Sequence, residues 1–138
     1  MKISIGSDHR GAELKASILQ QYSEQIFFDV GTDTKERVDY PDFAHAVCQK
    51  IINHESDIGI LICGTGIGMS ITANRYENIY AGLCWSAEIA RLAKAHDHIN
   101  VLVLPADFID QKTAFEIINT WFKTKPLDGT YAQRLEKI

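Results

Sequence analysis

The run Ile58-Gly59-Ile60-Leu61-Ile62, followed by Cys63-Gly64-Thr65-Gly66-Ile67-Gly68, constrains the fold more than any other stretch of the chain. A strand with one wet face alternates apolar and polar residues. This run does not alternate, so it predicts a strand covered on both faces, as in a parallel sheet. The alternating glycines then predict a tight turn into a helix that reaches about Arg75.

The remaining sequence fits around that strand. Ile3 and Ile5 predict a first strand stopping at Gly6, with a helix from about Gly11 carrying Leu14, Ile18, Leu19 and Tyr22. Residues 26–30 read as a second strand and 31–40 as a loop. Pro41 opens a helix with Ala44, Val47, Cys48 and Ile51 on one stripe. Residues 81–84 and 101–104 are further short strands, and residues 87–95 a helix. Phe115, Ile118, Trp121 and Phe122 mark a long helix, and residues 131–138 a short one. This alternation predicts a single α/β domain over residues 1–138, a doubly wound five-stranded parallel sheet with helices on both faces. Ligands of such sheets bind beyond the carboxyl ends of the strands. The segments to watch are therefore Ser7 to Arg10, Cys63 to Gly68 and Pro105 to Asp107.

Bulk properties narrow the function. The net charge of −4 gives no electrostatic case for nucleic acid. No apolar run approaches the roughly 20 residues that span a bilayer, and the amino-terminal apolar run is too short for a signal peptide. Three cysteines without a CxxC pair suit a reducing, cytoplasmic compartment. His96-Asp97-His98 lacks the spacing of a metal site, and no second cluster with ligand spacing accompanies it, so no metal is expected.

The glycine loop can hold a phosphate or an oxyanion on its N–H groups. Its spacing matches neither the dinucleotide fingerprint nor a P-loop. Cys63 opens the loop. At a helix amino terminus a thiol pKa falls from ~8.5 toward neutrality and the thiolate becomes a base or nucleophile; otherwise such a cysteine is a small core residue. Cys48 and Cys84 have no such loop and read as core. Asp8-His9 is either a solvated turn with a helix cap or a hydroxyl-binding carboxylate beside an anion-pairing imidazole. His96 is either a polar helix terminus or a general acid.

Three motifs in order, residues 7–15 (SDHRGAELK), 39–44 (DYPDFA) and 62–70 (ICGTGIGMS), make the chain resemble the ribose-5-phosphate isomerase B family, related to the galactose-6-phosphate isomerase subunits. The likeness covers nearly the whole chain. It implies an aldose–ketose isomerase working through a cis-enediolate without metal or organic cofactor. It also implies a homo-oligomer, dimer or tetramer, with active sites at the subunit boundary. By resemblance, Cys63 is the base and His96 opens the sugar ring. Gly64, Thr65, Gly66, Ile67 and Gly68 hold the enediolate oxygens, with Thr65 assisting. Asp8, Tyr40 and Asp97 contact the sugar, and His9 and Arg134 the phosphate. The chain departs from the family pattern at Asp107 and Thr130, where arginines are usual, and at Asp97, where asparagine is usual. Arg10, beside His9, is a further candidate phosphate contact. A six-carbon aldose 6-phosphate substrate, or a sugar-phosphate sensor without catalysis, are the alternatives. A sensor has no need of a base, and a nucleotide-binding module would need an acidic residue for the ribose that is not found here.

Overall fold

The structure, a computed structural model, describes residues 1–138. Strands β1 (Lys2–Ser7), β2 (Ile26–Asp29), β3 (Ile58–Cys63), β4 (Ala81–Leu83) and β5 (Val101–Pro105) form one sheet in the order β2-β1-β3-β5-β4. All four pairings are parallel. The helices are α1 (Ala12–Gln21), α2 (Tyr40–Ile52), α3 (Ile67–Ala73), α4 (Ala87–Asp97), α5 (Gln111–Lys123) and α6 (Thr130–Leu135). None is long and apolar enough to cross a membrane.

The unalternating run of β3 lies at the centre, as expected. Ile60 and Ile62 join Ile3, Ile5, Leu102 and Leu104 in a core completed by α1, α4 and α5 residues such as Ile18, Ala90, Ile117 and Trp121. Leu61 and Cys63 turn to the other face, with Val101 and Val103, against Ala44, Val47 and Cys48 of α2 and Met69 of α3. The period of two along a strand makes this division.

Several ends differ from the sequence reading. Helix α3 stops at Ala73 rather than Arg75, because the Asn74 side chain bonds both backbone groups of Ala81, at 2.9 and 2.8 Å, and pins β4. Strand β4 ends at Leu83, one residue early. Helix α4 runs on through His96 and Asp97 and is capped by His98 in the left-handed conformation. Helix α6 starts at Thr130 and is only six residues long.

The crossing from β1 outward to β2 and back to β3 puts the switch in strand order between β1 and β3. Lys15 secures this corner. Its ammonium is 1% exposed and bonds both Asp29 oxygens, at 2.8 and 2.6 Å, and Asp33 Oδ1 at 2.6 Å. Burial lowers its pKa, but the two carboxylates outweigh burial and the net displacement is upward. The ion-pair stabilisation is therefore complete below the ordinary lysine value of 10.5 and is lost as pH rises through the higher folded-state value. Lys15→Met leaves two carboxylates that water can still reach, Asp33 being 85% exposed, and should cost on the order of 1 kcal/mol in urea unfolding at pH 7. The difference from wild type should shrink on the strongly alkaline side.

Candidate active site

Strand β3 lies between β1 and β5, so the three segments marked in the sequence meet at the carboxyl edge. Asp8 N–H donates to the Ile62 carbonyl at 3.2 Å. Ala106 N–H donates to Cys63 O at 2.9 Å, and Asp107 N–H to Gly64 O at 3.0 Å. Between them opens a cleft of about 300 Å³ lined by Asp8, Arg10, Tyr40, Cys63, Thr65 and Asp107, with Gly64, Gly68 and Phe108 at its walls.

The loop geometry depends on glycine at two points. Gly66 has φ 75°, and a Cβ there would stand 2.4 Å from Leu83 Cδ1. Gly68 lies under the Tyr40 ring, where a Cβ would be 2.4 Å from Cζ. Tyr40 thus reaches the cleft by lying directly on the first turn of α3.

Cys63 is 5% exposed, and its sulfur accepts the Gly66 N–H at 3.1 Å. Burial is the largest influence and raises the thiol pKa above the ordinary value of 9.0. The N–H groups of Met69, Gly66 and Thr65 act in the opposite sense, and the charge of Asp8 adds to the rise. The thiol pKa is thus displaced upward rather than toward neutrality. Helix α3 is only seven residues long, and the local N–H donors do not offset the desolvation of the thiolate. Cys48 and Cys84, pushed up to about 11 and about 12 by burial alone, are core thiols as expected.

Asp8 is 5% exposed and its Oδ1 accepts the N–H groups of Arg10 and Gly11, at 3.0 and 3.3 Å. Its other oxygen faces no protein donor and is available to a hydroxyl. His9 Nδ1 accepts Val38 N–H at 3.3 Å, so its other ring nitrogen carries the proton when the ring is neutral. His9 lines an adjoining cleft with Arg37 and Asp42 that shares Asp8 and Tyr40 with the Cys63 cleft. Nothing in the local sequence marks Arg37 or Phe108 as lining residues; only the packing of loops 31–39 and 106–110 brings them there. No three His, Cys, Asp or Glu side chains converge as a metal site would require.

His96, Asp97 and Arg134 do not join this cleft. A crossover helix runs antiparallel to the strands, so the carboxyl end of α4 lies at the amino edge of the sheet, across the molecule from Cys63. There the His96 ring stacks on Tyr131, with centroids 4.2 Å apart and planes 8° from parallel, and Arg134 lies over the same Tyr131 ring at 5.8 Å. Leu127 N–H donates to Ala95 O at 2.9 Å, and His98 Nε2 lies 2.7 Å from Leu127 O, which fastens the segment before α6 to the end of α4. Tyr131, the partner of His96, was not foreseen; its spacing of three from Arg134 on a short helix is the only sequence signal.

The doubly wound α/β domain carries a thiol and a glycine loop beside its switch point, the place where small-molecule enzymes of this fold bind their ligands. The chain belongs to the Ribose/Galactose Isomerase family, which it matches over residues 3–138. A Rickettsia conorii protein provisionally named a sugar phosphate isomerase is 48% identical over 139 residues, covering 99% of this chain and 96% of the relative. Ribose-5-phosphate isomerase B of Escherichia coli is 37% identical over 139 residues, covering 99% and 93%. Among solved structures, the Thermotoga maritima ribose 5-phosphate isomerase superposes with a TM-score of 0.96 at 45% identity, covering 99% of this chain and 95% of that one. The Mycoplasma genitalium ribose-5-phosphate isomerase B with bound ribulose-5-phosphate gives 0.91 at 36%, covering 99% and 92%.

Because its thiol is raised, Cys63 should react slowly with iodoacetamide at pH 7. The rate should climb about tenfold per pH unit and level off only above 9. Mass spectrometry of the Cys63 peptide across a pH series checks this.

Proposed function

We propose that the protein interconverts ribose 5-phosphate and ribulose 5-phosphate. One observation carries this reading: a single thiol, ringed by backbone N–H groups, faces the cleft of a chain that aligns end to end with solved ribose 5-phosphate isomerases. Cys63 removes the proton from C2 of the open-chain aldose and returns it to C1, while the hydroxyl proton passes from O2 to O1. The negative charge of the cis-enediolate develops on oxygens next to the loop. There the N–H groups of residues 64–68 and the Thr65 hydroxyl stabilise it; removing one such donor typically costs ~10²–10³ in rate. Asp8 and Tyr40 orient the sugar hydroxyls.

In this reading His96 opens the sugar ring, Asp97 contacts the sugar, and Arg134 binds the phosphate together with His9 and Arg10. The first three lie at the opposite edge of the sheet, so a complete site requires a second copy. Two features support a symmetric pairing. Ile67 and Ile71, both 55% exposed, form an apolar stripe on α3 beside the cleft, and Phe108, 73% exposed, stands at its wall. A two-fold dimer that covers this apolar surface brings each copy's α4–α6 end to the other's Cys63 and forms two equivalent sites.

Two experiments test these assignments. Cys63→Ser keeps the volume but lacks a base of comparable strength, so turnover of ribose 5-phosphate should fall by ~10³ or more while the fold persists. Near-normal turnover would remove Cys63 from the mechanism. Separately, Cys63→Ser and His96→Asn proteins, each nearly inactive, should recover activity when unfolded together and refolded. Mixed dimers contain one intact site, so an equal mixture should reach about a quarter of wild-type activity. Failure to complement would mean that the site is not shared.

A further inference from the structure

Arg10 and Asp107 form an ion pair, Nη2 to Oδ2, that bridges the loops after β1 and β5 across the glycine loop after β3. The pair lies directly on Gly64, where a Cβ would come within 2.6 Å of Asp107 Oδ2 and 2.7 Å of Arg10 Nε. Both residues line the Cys63 cleft. Both also line a second cleft on its far side, formed with Glu13, Leu14 and Ser17 of α1 and with Ile109. The pair is therefore the partition between two clefts, and its inner side faces the thiol.

The two partners are anchored differently. Asp107 has a short side chain, and its backbone N–H is fixed on Gly64 O at 3.0 Å. Arg10 has a long side chain, 57% exposed, with no other side-chain partner in the chain. The short, fixed residue decides where the long one rests. One Nη2 contact with Asp107 leaves the other guanidinium donors free. A guanidinium so held presents a planar fork of donors, the geometry that suits a phosphate.

We infer that Asp107 is a positioning residue that holds Arg10 at the end of the Cys63 cleft, and that Arg10 thereby becomes the cation selecting substrates with a phosphate. This rests on the isomerase reading above. In it, the carboxylate at position 107 serves the phosphate site indirectly, by fixing a cation supplied from the loop after β1.

The test is a double-mutant cycle read in two ways: kinetics on ribose 5-phosphate and free ribose, and calorimetric binding of inorganic phosphate. Arg10→Ala should raise KM for ribose 5-phosphate by ~10-fold or more with a much smaller change in kcat, and weaken inorganic phosphate to a similar extent. The loss should be much larger for ribose 5-phosphate than for free ribose, which has no phosphate to select. Arg10→Lys, a point charge without the fork, should recover only part of the loss. Asp107→Asn should raise KM by roughly 3-fold in the presence of Arg10 and add nothing in the Arg10→Ala background. Three results would overturn the inference: Arg10→Ala without effect on phosphate, Asp107→Asn that tightens phosphate, or an Asp107→Asn loss that is equal with and without Arg10. The last would mean that the carboxylate reads the substrate directly. Arg10-dependent phosphate binding in a protein that does not isomerise ribose 5-phosphate would support the pair and remove the proposed reaction instead.

Discussion

The insertion of β3 between β1 and β5 is the constraint on which the rest depends. Parallel pairing aligns Ser7 with Ile62 and Cys63 with Pro105, so three loops far apart in sequence leave the sheet side by side. Each then bonds to its neighbour through backbone groups. Asp8 is tied to Ile62, Ala106 to Cys63 and Asp107 to Gly64. The cleft is the space these loops enclose. The ion pairs of the buried Lys15 ammonium with Asp29 and Asp33 fasten the start of the segment leading to Val38 and Tyr40, the residues that hold His9 and cover the loop.

The same packing sets the state of the thiol. Cys63 ends a strand whose neighbours on that face are Leu61, Val101 and Val103, so its sulfur is largely withdrawn from water. Backbone N–H groups stabilise the anion, but burial dominates. A thiol that is neutral at rest is protected from indiscriminate alkylation and oxidation.

The arrangement of the two groups of candidate residues follows from chain direction alone. Residues after strands collect at one edge, and residues at the ends of crossover helices collect at the other. Cys63, Asp8 and Tyr40 belong to the first group; His96, Asp97 and Arg134 belong to the second. No flexing of one α/β domain brings the edges of its own sheet together, whereas a two-fold axis does so twice. The two-copy site proposed above follows from this topology if both sets act on one substrate.

Much of this was determined by the sequence alone. The apolar run 58–62 dictated a central buried strand, the glycines after it a turn, and the alternation of periodicities a doubly wound sheet, because local steric and hydrophobic patterns suffice for such elements. The specific motifs around Cys63 and Asp8 were readable for the same reason: each is contiguous. Helix ends were less readable. Asn74 leaves α3 to bind Ala81, and α4 continues through His96 and Asp97, because distant partners decide where each helix stops. Three features belonged to the tertiary structure: the strand order, the contest between burial and N–H donors at Cys63, and the Arg10–Asp107 pair over Gly64. Each depends on groups brought together across the sheet, from positions as far apart as 10 and 107, and no local pattern encodes such a distance.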